Sequence, residues 1–210
     1  MANLEDIKEA TMAGNQQKVE ELTRDAITQG VEADRIIQDG FIPAMGIVGD
    51  KFGAGEVYIP EMLIAARAMK TGMEILKPLL AGKAEHTIAK IVIGTVKGDM
   101  HDIGKNLVAI MLEGGGFEVV DLGIDVPVEK FIDAVRQHQP RFLALSALLT
   151  TTMKQMEMVI AALEEAGLRQ NVNVFVGGAP VSQGFADEIG ADGYGANAGQ
   201  AADIMKGMLN

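Results

Sequence analysis

The densest chemistry in the chain lies in seven residues, Gly98-Asp99-Met100-His101-Asp102-Ile103-Gly104. His101 is one of three histidines, with Asp99 two residues before it and Asp102 directly after it. A closed metal cage from these groups is awkward, because the spacing is tight and no second histidine stands nearby. A single neutral imidazole suits a simpler task. It can ligate one metal axially, with Asp99 fixing its tautomer and tuning its basicity. The same residues also suit a plain capped turn, with Asp102 as the N-cap of the helix that follows.

The elements around this loop decide what it can do. The β-branched run Ile91–Val96 precedes it, and Leu107, Ile110 and Met111 follow at helical spacing. A strand, a polar loop and a helix is the arrangement in which open α/β sheets place ligands. The pattern then repeats. Strand-like runs cover 91–96, 117–121, 142–146, 172–176 and Gly193-Tyr194, and helical segments cover 102–113, 128–137, 151–166, 181–189 and 198–208. The strands are near-continuous apolar runs, as in a parallel sheet covered on both faces. They predict an α/β fold, a flavodoxin-like doubly wound five-stranded sheet of order 2-1-3-4-5.

That order brings several strand ends to one edge, and their loops are distinctive. Ser146-Ala147-Leu148-Leu149-Thr150-Thr151-Thr152 follows the third strand, Gly177-Gly178-Ala179-Pro180 the fourth and Gly195-Ala196-Asn197-Ala198 the fifth. Hydroxyls and bare backbone stand where a ligand can come close. Taken singly, each loop also reads as ordinary caps and βα turns. Three chemistries are weakly supported. No G-x-x-x-x-G-K or G-x-G-x-x-G follows the first strand, no G-x-S-x-G occurs, and Ser146 stands where a phosphoacceptor aspartate would.

The first third is helical. Gly14 ends a first helix, Asn15 caps a second that runs to Gly30, and a third spans Glu32 to about Phe52. Pro43 predicts a break or kink near Gly40–Phe41. A last helix starts at Pro60 and carries Met62, Ala65, Ala66, Met69, Met73 and Leu76 before Lys77-Pro78 ends it. Val57, Tyr58 and Ile59 stand in the loop before it, where polar residues are expected. Such a helical bundle either covers something flat and apolar or packs on the next domain. A polar break at 80–88 divides the chain into a helical domain, 1–85, and an α/β domain, 88–210. His86 in that linker and His138 before Pro140 read as solvated.

Composition narrows the partners. A net charge of −11 argues against nucleic acid, and the absence of cysteine excludes disulfides, thiolate metal sites and a cysteine nucleophile. No apolar run reaches the roughly 18 residues of a membrane span, and the N-terminus lacks a signal peptide, so the expectation is a soluble cytoplasmic protein with no membrane partner. Thirteen methionines suit a gap-filled core.

Asp99-x-His101-x-x-Gly104, Ser146-x-Leu148 and Gly177-Gly178 together resemble the three-part signature of the cobalamin-binding domain of methionine synthase and related proteins. Gly49-Asp50-Lys51-Phe52 and Gly55-x-Val57-Tyr58-Ile59-Pro60, with Ala65, Ala66 and Met69, resemble the helical cap that precedes that domain. The likeness covers almost the whole chain. It is similar to stand-alone corrinoid proteins of three-component methyltransferase systems, which are carriers rather than enzymes in their own right.

The resemblance implies a cobalamin or related cobamide bound base-off/His-on, with His101 on cobalt, Asp99 on its other ring nitrogen and Thr152 continuing the relay. It implies a slot for the nucleotide tail lined by Asp102, Ile103, Gly104, Ser146, Leu148, Thr150, Gly177 and Gly178 and closed by Gly195, Ala196 and Asn197. Tyr58, Met62 and Ala65 would lie over the upper face, and the linker would be a hinge for the cap. The protein would shuttle a methyl group from a substrate-specific corrinoid methyltransferase to a second methyltransferase using tetrahydrofolate, with a reductive activation protein as a further partner. Two other classes share the histidine loop. A radical-mutase cobalamin subunit lacks residues like 1–80, and a cobalamin-dependent sensor usually carries a DNA-binding or signalling domain.

Overall fold

The β-branched runs form the strands that their spacing predicts. The computed structural model describes residues 4–80 and 87–209, and the chain separates into two compact units, Met1–Thr87 with Gly114–Gly116 and Ile88–Glu113 with Phe117–Asn210. Most of the expected linker, with His86, lies outside the described residues.

The helical unit contains α1 (Leu4–Met12), α2 (Gln16–Thr28), α3 (Ala33–Ile36), α4 (Ile42–Gly53) and α5 (Ile59–Leu80). Asn15 caps α2 by accepting the Lys18 N–H at 3.0 Å. Between α3 and α4 the α-helix is interrupted where Pro43 predicts a break or kink, by a wider turn rather than a chain break. Residues Ile37–Phe41 form a π-helical turn in which the Ile42 N–H donates to the Ile37 carbonyl. A wider turn absorbs the bond that proline cannot make, and the helix continues. Likewise α5 runs through Pro78 to Leu80. A proline this near a helix end forfeits one ladder bond and leaves little helix to disrupt. Ile7, Val19, Ile36, Phe41, Met62 and Leu76 are fully buried here.

The α/β unit contains β1 (Lys90–Thr95), α6 (Ile103–Gly114), β2 (Glu118–Asp121), α7 (Val128–His138), β3 (Phe142–Ser146), α8 (Lys154–Glu165), β4 (Asn173–Gly177), α9 (Gln183–Glu188), β5 (Gly193–Gly195) and α10 (Ala198–Gly207). All pairings are parallel, in the order β2-β1-β3-β4-β5. On one face Val92, Leu143, Val174 and Val176 pack with Phe131 and Val135 of α7 and Val159 and Leu163 of α8 in one continuous cluster. The alternate residues Ile91, Ile93, Phe142 and Phe175 are buried as well.

Register matters most for the site. Thr95 pairs with Ser146, Ser146 with Gly177, and Gly177 with Gly195, so four loop-initiating residues share one row at the C-terminal edge. Among the described residues no helix is long and apolar enough to cross a membrane.

Candidate functional site

The chain leaves β1 through a tight turn. The Asp99 N–H donates to the Val96 carbonyl at 3.1 Å, and Gly98 takes φ +80°, as the third residue of a type II turn must. The Thr95 hydroxyl then donates to the His101 carbonyl at 2.9 Å. Both contacts fold the loop back so that the Asp99 side chain enters the protein and the His101 ring stays at its surface.

The two side chains meet at 2.8 Å, His101 Nδ1 to Asp99 Oδ1. Asp99 is fully buried, whereas the His101 side chain is 51% exposed. The other carboxylate oxygen, Oδ2, accepts from Leu148 N–H at 2.7 Å, Leu149 N–H at 3.2 Å and the Thr152 hydroxyl at 2.7 Å. The His101 N–H adds a bond to Oδ1 at 3.1 Å. Burial alone raises a carboxyl's pKa, but the bonds from Thr152, the His101 ring and the Leu148 and His101 amides outweigh it and hold Asp99 well below the usual carboxylate range. An ionised carboxylate only accepts, so Nδ1 carries a ring proton and donates it to Asp99.

A cavity of about 560 Å³ opens beside this ring. From the β1 loop, His101, Asp102, Ile103 and Gly104 line it; from the β3 loop, Ser146 and Leu148; from the β4 loop, Gly177 and Gly178; and from the β5 loop, Gly195, Ala196 and Asn197. Gly178 is a glycine for local reasons. It sits at φ +131°, and a Cβ there would run into the Ala147 carbonyl oxygen. Gly104 differs, because a Cβ there would meet nothing within 4 Å. Asp102 accepts from the Asn106 side-chain amide at 3.1 Å.

Other expected residues stand elsewhere. Thr152 is buried behind Asp99, while Thr150 is exposed in the β3–α8 loop and does not line the cavity. In the helical unit Met62 and Ala65 are fully buried, and Tyr58 is 69% exposed. Tyr58 is therefore the one of the three that presents open surface.

Sequence reasoning did not single out Lys105, Val108, Phe175, Ala201 or Met205, which also line the cavity. Lys105 is buried, its ammonium held by Asp121 of β2 and by Asn106 Oδ1 at 2.6 Å. The buried residues of α6 include Lys105, Ala109 and Leu112. A lysine on that stripe hides it from any apolar periodicity. Around the His101 ring, Met100, Ile103, Leu148 and Leu149 leave large apolar surfaces exposed. Among the described residues no group of three or more His, Asp or Glu is placed to hold a metal ion. A metal here would need most of its ligands from its own organic frame.

Two family models described as the B12 binding domain match the chain, one over residues 89–203 and one over residues 4–77. The trimethylamine corrinoid protein of Methanosarcina barkeri is 43% identical over 216 residues, covering all of both chains. A dimethylamine corrinoid protein of Methanosarcina acetivorans is 41% identical over 206 residues, 98% of this chain and 96% of the relative. Among solved structures, a chain of the methanol:cobalamin methyltransferase complex of M. barkeri superposes with a TM-score of 0.90 at 33% identity, covering 98% of this chain and 79% of that one. With both halves matched by B12-binding models and full-length relatives above 40% identity, the chain belongs to the B12-binding family of corrinoid proteins.

Proposed function

We propose that this chain is a methyl carrier that binds a cobamide base-off, with His101 as the lower axial ligand of cobalt, and passes methyl groups between two methyltransferases. The observation that carries the reading is the half-exposed His101 ring, its Nδ1 taken by a buried, ionised Asp99 and its Nε2 open beside the cavity.

The residues present fit such a group. The cavity is of the size that takes a nucleotide-like fragment. Gly104 leaves open space where a side chain would stand. Met100, Ile103, Leu148 and Leu149 supply an apolar rim on which a flat macrocycle can lie. When bound and reduced, cobalt supplies the nucleophile that accepts a methyl group and later gives it up.

The protein's part is ligation and orientation. Asp99 takes up Nδ1 and so leaves Nε2 as the ring nitrogen for a ligand. Thr152 donates to the far oxygen of Asp99 and keeps the carboxylate charged. Asp102, Ile103, Gly104, Ser146, Leu148, Gly177 and Gly178 form the slot for the nucleotide tail, and Gly195, Ala196 and Asn197 close it. The helical domain, 1–85, serves as the cap of the α/β domain, 88–210. Of the three expected cap residues Tyr58 is the exposed one, just before a helix that Met62 and Ala65 anchor by burial.

For the donor, the likeness to trimethylamine and dimethylamine corrinoid proteins supports a methylated amine presented by a substrate methyltransferase. The acceptor is tetrahydrofolate on the second methyltransferase, a reductive activation protein restores the carrier, and the exchange takes place in the cytoplasm.

Two measurements test this. Protein reconstituted with hydroxocobalamin is expected to show a visible spectrum that His101→Gly alters, and identical spectra would overturn axial ligation by His101. Carrier mixed with its two methyltransferases is expected to move isotopically labelled methyl from di- or trimethylamine to tetrahydrofolate. Failure of every methylated amine to load it would remove the donor assignment.

A further inference from the structure

In the sheet order β2-β1-β3, the loop after β1 has a neighbour on each side. On the β3 side Leu148, Leu149 and Thr152 grip the Asp99 carboxylate. On the β2 side stands Asp125, the exposed carboxylate of the otherwise apolar loop between β2 and α7. Its backbone lies in the left-handed region, at φ +51°. Non-glycine residues enter that region at a cost, Asp and Asn less reluctantly than most, and remain there only where surrounding bonds hold them.

The bonds are specific. The Asp125 N–H donates to the Asp99 carbonyl at 3.0 Å, and its Oδ1 accepts from the Gly98 N–H at 2.7 Å. One residue thus grips the main chain on both sides of the Gly98–Asp99 junction, the last two residues of the turn that aims Asp99 inward. Asp99 must satisfy His101 Nδ1 at 2.8 Å with one oxygen and Thr152 and Leu148 at 2.7 Å with the other. Its backbone therefore has little room to shift before one set of bonds is lost.

We infer that Asp125 is a positioning residue for the Asp99–His101 pair, fixing from the β2 side the backbone that aims the imidazole. The inference rests on the axial-ligand reading above. Asp125 does not line the cavity and is not part of the core, so it acts through the loop alone.

The two requirements of the site separate in substitutions. Glycine accepts φ +51° freely but brings no carboxylate, alanine brings neither, and asparagine keeps both an acceptor oxygen and tolerance of the left-handed region. Wild type, His101→Gly and the three Asp125 variants are made with 15N-histidine and saturated with unlabelled cobalamin reduced to cobalt(II). Electron paramagnetic resonance then counts the share of cobalt coupled to 15N.

Wild type is expected to show 15N coupling and His101→Gly none. Asp125→Gly and Asp125→Ala are expected to lose roughly tenfold in cobalamin affinity, as loss of an outer partner of a metal ligand does. At saturation they are expected to show a smaller 15N-coupled share, the Gly variant with a thermal midpoint nearer wild type than the Ala variant. Asp125→Asn is expected to stay near wild type. Wild-type affinity and coupling in both the Gly and Ala variants would overturn the inference, and so would an Asn variant as impaired as Ala. Wild type without 15N coupling would instead overturn the axial-ligand reading and the inference with it.

Discussion

His101 Nδ1 lies 2.8 Å from Asp99 Oδ1, and the two side chains stand on opposite sides of the protein surface, the carboxylate fully buried and the imidazole half open. A charge that water cannot reach is stabilised by bonds that water cannot compete for, and the ring that solvent can reach is left with one vacant nitrogen.

The pair makes stability depend on pH. Asp99 has its carboxyl depressed by folding, so its contribution is complete above the ordinary value of 3.8 and is lost as pH falls below that toward the folded value. Asp99→Asn places an amide donor among groups that already donate. The variant is expected to be less stable than wild type by roughly 2–3 kcal/mol at pH 7, the gap narrowing below about pH 4. Urea unfolding of the two apoproteins across that range measures it, and a gap independent of pH would contradict the account.

Thr152 tests the same carboxylate from behind. Thr152→Val removes the hydroxyl bonded to Asp99 at 2.7 Å and is expected to cost about 1–3 kcal/mol of unfolding free energy. Thr152→Ser keeps the donor and is expected to recover most of that, as paired denaturation curves can report.

Two glycines are expected to fail in opposite ways. Gly178→Ala meets the Ala147 carbonyl at an unfavourable φ and is expected to lower the thermal midpoint. At Gly104 a Cβ would meet nothing within 4 Å, and Gly104→Leu adds a better helix former. It is expected to keep or raise the midpoint while abolishing cobalamin binding by occupying the cavity. A Gly104→Leu protein that binds cobalamin normally would show that the cavity is not the slot.

Lys105 and Asp121 form an unequal pair, with 2% and 40% of their side chains exposed. Asp121→Ala strands a buried ammonium, whereas Lys105→Met removes the charge and keeps the volume. Asp121→Ala is expected to be the more destabilising, by about 1–3 kcal/mol once the exposure of Asp121 is allowed for. Adding Lys105→Met is expected to restore part of that loss in a double-mutant cycle.

Much of this architecture is legible in the residues. Strands β1 to β4 fall within a residue of the runs at 91–96, 117–121, 142–146 and 172–176, because a sheet covered on both faces demands unbroken apolar segments. The site loops are legible because His101, Ser146 and Gly177-Gly178 are conspicuous types at strand ends. Asp125 is not. In Gly123-Ile124-Asp125 it looks like any turn residue, and its role depends on a bond to Gly98 across 27 positions. Lys105 escapes for a similar reason, since its partner lies 16 residues away on strand β2. Pro43 predicts a break because sequence shows the missing N–H but not the wider turn that absorbs it. In α5 the apolar stripe does not reveal that Met62 and Ala65 are buried while Tyr58 stays open.

The cavity has a second wall that owes nothing to the imidazole. His101 is held through Thr95, Asp99, Thr152 and Asp125, on or beside the first three strands. The opposite wall belongs to a three-residue edge strand and to Ala201 and Met205 of α10. Ligand strength and pocket shape are thus encoded in separate stretches of chain. Under the proposed reading, changes at Ala201 or Met205 would alter the width of the pocket while leaving the Asp99–His101 pair as it is.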